Sequence, residues 1–277
     1  MLRVGLAQLK PYVANPEKNL GQMEEAVKKL SNNGAGLIIF PELYLQGYMS
    51  RDLLYRLAEP VDGEILGKVL DMAREYNVYI ITGFAERDTK YEVLYNSAAL
   101  ATPEGEVKTY RKMHLPDFSV FDEWRYFRRW DGPVEVWRIG NLDFGVMICY
   151  DVFFPELARA YTYQGAKVLV AISATPDFSQ PLFHIVARAR AIENTTYFIW
   201  VNMVGTYEGL GFAGASRVVE PLGRVVKDLP NMEEALEVVD LDEHKIRVAR
   251  EKRPILKDIH WADVENMVES YRINMGR

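Results

Sequence analysis

Short β-rich apolar runs recur along this chain, and stretches with helical periodicity separate many of them, which restricts it to folds that bury strands beneath helices. Leu2 to Leu9 reads as the first strand. Asn15 then caps a helix with Pro16 at its first position, running to about Ser31 on the apolar face Leu20, Met23, Val27 and Leu30, and Gly34 and Gly36 end it. A strand from Leu37 to Phe40 follows. Asp62 is expected to cap a helix from Gly63 to Tyr76, before a strand from Val78 to Phe84. Thr102-Pro-Glu-Gly105 turns Leu94–Ala101 into Glu106–Tyr110 as a hairpin. The second half echoes the first: strand Leu142–Ile148, helix Phe154–Tyr163, strand Lys167–Ile172, helix Pro181–Asn194, strand Tyr197–Met203. Two sheets flanked by helices would bury these strands, although periodicity alone supports only the α/β class.

With 277 residues, 49% of them hydrophobic and 26% charged, the chain is able to bury a large core as one domain, 1–277, and no linker or repeat divides it. Residues 250–277 read as a tail whose Ile255, Leu256, Ile259 and Trp261 either cover a neighbouring subunit or pack on their own core. The longest apolar stretches, Val168–Ile172 and Tyr197–Val204, are too short to span a membrane. Met1 to Lys10 reads as a strand, not a signal peptide, so a cytoplasmic protein is expected. Net charge is −6, and the basic cluster Arg247, Arg250 and Lys252-Arg-Pro is short and flanked by Asp240, Asp242, Glu243 and Glu251, unlike a nucleic-acid surface. Neither a metal nor a cofactor is expected: His114, His184, His244 and His260 lie far apart and show no ligand spacing.

Cys149 is the only cysteine, which rules out an internal disulfide and leaves the thiol free for chemistry. It lies where the run Leu142–Ile148 ends in a polar, aromatic turn, and a helix starting just beyond would favour a thiolate and an oxyanion. Two other strand ends present fixed charges. Leu37-Ile-Ile-Phe-Pro-Glu42 delivers Glu42 where Pro41 stops sheet pairing, and Val107 to Pro116 presents Lys112. Each taken alone reads as a solvated loop residue or, for the cysteine, as a small buried hydrophobe.

Together these segments resemble the nitrilase superfamily of carbon–nitrogen hydrolases, whose mark is a Glu-Lys-Cys triad in this order. The matching residues are Phe40-Pro-Glu42, Arg111-Lys112-Met-His-Leu115, and Cys149-Tyr-Asp151 with Phe154-Pro-Glu156. Gly5-Leu-Ala-Gln8, Asn96-Ser97, Arg188–Asn194, Asn202, Gly214-Ala-Ser216 and Pro221-Leu-Gly223 extend the match over nearly the whole chain. The resemblance implies a four-layer α-β-β-α sandwich with Glu42, Lys112 and Cys149 meeting in one pocket. It also implies attack by Cys149 on an amide carbonyl, proton transfer by Glu42, and stabilisation of the oxyanion by Lys112 and the Tyr150 N–H. Glu123 aligns with a second glutamate beside the lysine. The competing readings are a salt bridge from Glu123 to Arg125, Arg128 or Arg129, and Asp122 in its place. His114 is expected to brace the loop. Arg188, Arg190, Glu193 and Asn194 are assigned to packing.

Related carbamoyl amino acid hydrolases and ω-amidases often place an arginine three or four positions after the cysteine, where Val152 and Phe153 stand here. An apolar substrate wall is therefore expected, with Tyr48, Phe118, Trp124, Tyr150 and Phe153 as lining, and with Arg125 or Arg159 as alternative sources of a cation. The expected reaction is hydrolysis of a small uncharged primary amide to acid and ammonia. Nitrile or N-carbamoyl hydrolysis is the alternative, and an idle binding scaffold the remote one. A homodimer or larger assembly is the expected quaternary state, with a small molecule as the other partner.

Overall fold

The computed structural model describes residues 1–275. Strand β1 (Leu2–Gln8) leads into helix α1 (Pro16–Asn32), where Asn15 Oδ1 accepts the Lys18 N–H at 3.2 Å and Pro16 takes the first turn, as the sequence predicts. Next come β2 (Leu37–Ile39), the short α2 (Leu54–Leu57) and α3 (Glu64–Glu75). The Asp62 cap is not made. Gly63 is the cap residue, and Glu59, whose backbone bridges to Glu86, accepts the Ile65 N–H at 2.8 Å in its place. Strands β3 (Tyr79–Asp88), β4 (Val93–Ala101) and β5 (Val107–Arg111) complete the first half, with the expected hairpin between β4 and β5.

The second half contains β6 (Trp137–Ile139), β7 (Leu142–Ile148), α4 (Pro155–Tyr163), β8 (Val168–Ser173), α5 (Gln180–Asn194) and β9 (Tyr197–Asn202). Beyond these lie the hairpin β10 (Val204–Tyr207) and β11 (Leu210–Ala213), then β12 (Arg217–Val219), β13 (Val225–Asp228) and β14 (Ala235–Leu241). Helices α6 (Glu243–Lys252), α7 (Ile255–Asp258) and α8 (Trp261–Asn274) follow.

Two six-stranded sheets form, in the orders β14-β1-β2-β3-β4-β5 and β13-β12-β9-β8-β7-β6. Their centres, β1-β2-β3 and β7-β8-β9, are parallel. Alternation within each strand explains the layering. Leu37 and Ile39 of β2, with Ala98 and Leu100 of β4, enter the core shared with the second sheet, whereas Ile38, Ala99 and Ala101 pack with Leu20, Met23, Val27 and Leu30 of α1 and with Leu66 and Val69 of α3. On the far side Leu157, Ala158 and Tyr161 of α4, and Phe183, Ala187 and Ala191 of α5, cover the second sheet. Strands buried on both faces read as continuous apolar runs, and the product is the expected four-layer α-β-β-α sandwich.

Of the tail residues named from the sequence, Ile255, Leu256 and Ile259 are half-buried and Trp261 is exposed. Helix α8 buries none of its residues, and Trp261, Met267, Val268, Tyr271 and Ile273 are exposed. The last two residues of the expected domain and tail, 276 and 277, lie outside the described residues. No helix among the described residues is long and apolar enough to cross a membrane.

Candidate active site

Glu42 follows the end of β2, where Phe40 donates its N–H to the Ile81 carbonyl at 2.8 Å and Pro41, with no N–H to give, still accepts the Gly83 N–H at 3.0 Å. The Glu42 turn lies directly on Gly83 of β3. A Cβ at Gly83 would come 2.3 Å from the Leu43 nitrogen and 2.7 Å from the Glu42 Cα, both backbone atoms that cannot rotate away. Gly83→Ala is accordingly expected to cost about 1–3 kcal/mol of stability by overpacking and to lower kcat by displacing Glu42. Urea midpoints and steady-state kinetics check this, and an unchanged kcat with an unchanged midpoint would refute it.

Lys112 stands one residue past β5, with its N–H donating to the Asn96 carbonyl at 2.8 Å. Its ammonium is fully buried and reaches Glu42 Oε1 at 2.7 Å and both Glu123 oxygens at 2.8 Å. Glu123 therefore does not form the surface salt bridge that the sequence allowed. Arg125 pairs with Asp52, and Arg129 with Asp131. Asn96 Nδ2 donates to Glu42 Oε1 at 2.7 Å and, at 3.4 Å, to Glu123 Oε2, while the Tyr48 hydroxyl donates to Glu123 Oε1 at 2.8 Å.

Cys149 directly follows β7 with φ +47°, a left-handed conformation that costs a non-glycine residue about 1–3 kcal/mol and aims it off the strand axis. Its Sγ lies 3.7 Å from Thr175 Oγ1. The end of β8 supplies this neighbour, and Asn202 fixes it by accepting the Thr175 N–H at 2.7 Å and donating to the Thr175 carbonyl at 3.1 Å.

The two carboxylates have different capacities left. A carboxylate offers roughly four lone-pair directions. Those of Glu123 are taken by Lys112 at both oxygens, by Tyr48 and by Asn96. At Glu42, Oε1 holds Lys112 and Asn96, but among the described residues Oε2 accepts only the Ala174 N–H, at 2.8 Å. One direction on Glu42 Oε2 is thus open to a further proton.

Burial drives the electrostatics. It raises the Glu123 carboxyl, as does the Glu42 charge, against the opposing pull of Lys112. Burial by itself lowers an ammonium, yet Glu123 and Glu42 outweigh it and hold Lys112 above the usual lysine range. For Cys149, burial and the Glu42 charge push the thiol up more than Lys112 pulls it down. The direction is opposite to the thiolate that the sequence favoured. A 3-10 turn, Cys149–Phe153, intervenes before α4, which begins at Pro155, one residue past the start expected from sequence.

Cys149 lines a cavity of about 230 Å³ with Phe118, Tyr150 and Phe153, as expected, and with Pro116, Phe121, Thr175, Pro176, Ser179, Leu182 and Phe183. Trp124 does not belong to it. Its indole N–H donates to the Leu115 carbonyl at 2.9 Å and the residue is 56% exposed, because the 3-10 turn Glu123–Arg125 turns Glu123 inward and its neighbour outward. Tyr48 is likewise absent from the cavity wall and serves Glu123. Neither proposed cation is there: Arg125 is held by Asp52, and Arg159 donates to the Glu193 carbonyl at 2.7 Å. Asn96, Thr175, Leu182 and Phe183 were not singled out for the site from sequence. Asn96 was noted only within the resemblance, and the others lie in segments read as a loop and a helix start. Among the described residues, no group of three or more His, Cys, Asp or Glu is placed to hold a metal.

Residues 3–251 match the family model described as carbon-nitrogen hydrolase. The chain belongs to the carbon-nitrogen hydrolase family. This hydrolase is 34% identical to a nitrilase of Pyrococcus abyssi, over 90% of this chain and 93% of the relative. It is also 34% identical to an (R)-stereoselective amidase of a Pseudomonas species, over 93% and 91%. Among solved structures, an amidase of the nitrilase superfamily from a Nesterenkonia species superposes with a TM-score of 0.80 at 28% identity, covering 91% of this chain and 94% of that one.

Proposed function

We propose that this carbon-nitrogen hydrolase converts small primary amides with uncharged, apolar acyl groups to the acid and ammonia through a thioester on Cys149. In this reading Glu42 takes the thiol proton at its open Oε2 direction as Sγ adds to the carbonyl carbon, then gives that proton to the departing nitrogen as the C–N bond breaks. Water attacks the thioester and loses its proton to Glu42, which returns it to the sulfur. Lys112 and the Tyr150 N–H stabilise the oxyanion, and Glu123, whose acceptor directions are filled, holds Lys112 in place.

The observation that carries the substrate class is the Cys149 cavity, whose lining among the described residues includes no charged side chain, Glu42 and Lys112 standing outside that lining. A substrate carboxylate or ammonium there would lose its water without gaining a partner. The named relatives, an amidase and a nitrilase, support a C–N substrate and leave the nitrile as the second reading, because the same sulfur adds to a nitrile carbon.

Ammonia release from a matched amide, nitrile and N-carbamoyl compound sharing one apolar side chain tests this, with Cys149→Ala as blank and a fourth amide carrying a terminal carboxylate. The apolar amide is expected to lead the acidic one by about 10- to 100-fold in kcat/KM. Preference for the nitrile, the carbamoyl compound or the acidic amide would overturn the assignment.

A further inference from the structure

Lys112 and Cys149 stand at the ends of strands from different sheets, which no backbone ladder joins. Face-to-face packing of apolar side chains sets the sheet spacing but gives little directional control over sliding, whereas a reacting centre needs its groups held to about 0.5 Å. A buried side chain that the catalytic reading leaves unused bridges this gap. Asp151 is fully buried in the turn that carries Cys149 and does not line the cavity. Its Oδ2 accepts the Ile148 N–H at 3.1 Å, immediately before the cysteine, and the Tyr110 hydroxyl at 2.7 Å. Its Oδ1 accepts the His114 N–H at 2.9 Å and His114 Nδ1 at 2.8 Å, the latter requiring the proton on Nδ1. Tyr110 and His114 flank Lys112 at two residues on either side. The His114 ring also lies flat on Phe154, with centroids 3.5 Å apart and planes within 8°, so the brace expected of His114 points across to the second sheet.

We propose that Asp151 is a positioning residue that clamps the Lys112 segment of the first sheet to the Cys149 turn of the second, setting the distance between nucleophile and cation. With all of its roughly four lone-pair directions filled by donors from both segments, it has no acceptor direction left for a substrate proton. Asp151→Asn keeps the shape but turns an NH2 group toward at least one of these donors.

The clamp rests on the catalytic reading above only for its effect on turnover, so a substrate-independent readout is included. In folded Asp151→Asn, kcat per titratable thiol is expected to fall about 10²-fold, as for a misplacement of about 1 Å, while KM changes less than about 3-fold. Iodoacetamide alkylation of Cys149 is expected to slow to the rate of Glu42→Gln, since sulfur and base no longer align. Tyr110→Phe removes one donor, preserves packing, and is expected to lower kcat about 5-fold. A purely structural Asp151 would lower the melting temperature and leave kcat per thiol and the alkylation rate at wild-type values, which overturns the clamp. If Asp151→Asn does not fold, wild-type kcat and alkylation in Tyr110→Phe overturn it equally. If no tested substrate is turned over, alkylation decides the clamp, and the substrate assignment alone has failed.

Discussion

Cys149→Ala is expected to lower kcat by about 10⁶ while leaving a folded protein, the scale seen when a hydrolase loses its covalent nucleophile. The loss is that large because, in the proposed mechanism, the remaining groups serve the sulfur. Glu42 keeps its hydrogen bonds to Lys112, Asn96 and Ala174, but the thiol proton that the proposed mechanism passes to its open Oε2 direction is gone. The fold tolerates the change because alanine retains the Cβ and the same left-handed backbone at φ +47°. The residue is 4% exposed, so the stability cost is about 1 kcal/mol for one buried group of methyl size. Residual ammonia release gives the kinetic measure, and mass spectrometry of enzyme quenched during turnover the chemical one. A covalent adduct of undiminished yield in the alanine variant would show that the nucleophile is another residue.

Lys112→Met carries the largest expected effect on stability. The variant keeps the length of the stem but strips two buried carboxylates of the cation they share, at 2.7 Å from Glu42 and 2.8 Å from Glu123. Breaking a buried ion pair on one side costs about 3–5 kcal/mol. The deficit should depend on pH with a definite sign. Burial and the neighbouring Glu42 already raise Glu123 in the wild type, and without the ammonium its folded value rises further. A carboxyl whose folded pKa exceeds its unfolded value contributes full stability below the unfolded value and loses it as pH rises through the folded one. Urea midpoints should therefore show the deficit near pH ~8 and a smaller one near pH ~5, where protonation removes the repulsion. An equal deficit at both would mean that lost packing, not charge, is responsible. At a pH where the variant is folded, kcat should be down about 10²–10³-fold. A rise in KM alone would make Lys112 a substrate-binding group.

The local elements were legible because each depends on residues close in sequence. Strand β7 matches its sequence expectation at both ends, and Asn15 and Pro16 start α1 as local rules require. The Asp62 cap failed for a non-local reason: Glu59 is held over the α3 N-terminus by its bridge to β3. Strand β14 was missed. Its partner is β1, paired from Leu2 with Leu241 to Gln8 with Ala235, and no local signal announces a partner more than two hundred residues away.

The same division runs through the site. The sequence by itself determined the candidate set, because Glu42, Lys112 and Cys149 each follow an apolar strand whose end can be read from its composition and its breakers. Only the tertiary structure decided what each atom faces. It separated Glu42, with a free acceptor direction, from Glu123, with none, and through burial it pushed the Cys149 thiol up. It also turned Trp124 outward and brought Leu182 and Phe183 from α5 to the cavity in its place. Strand ends are set by short-range periodicity, whereas lone-pair occupancy, desolvation and cavity walls are set by side chains converging from two sheets and a helix.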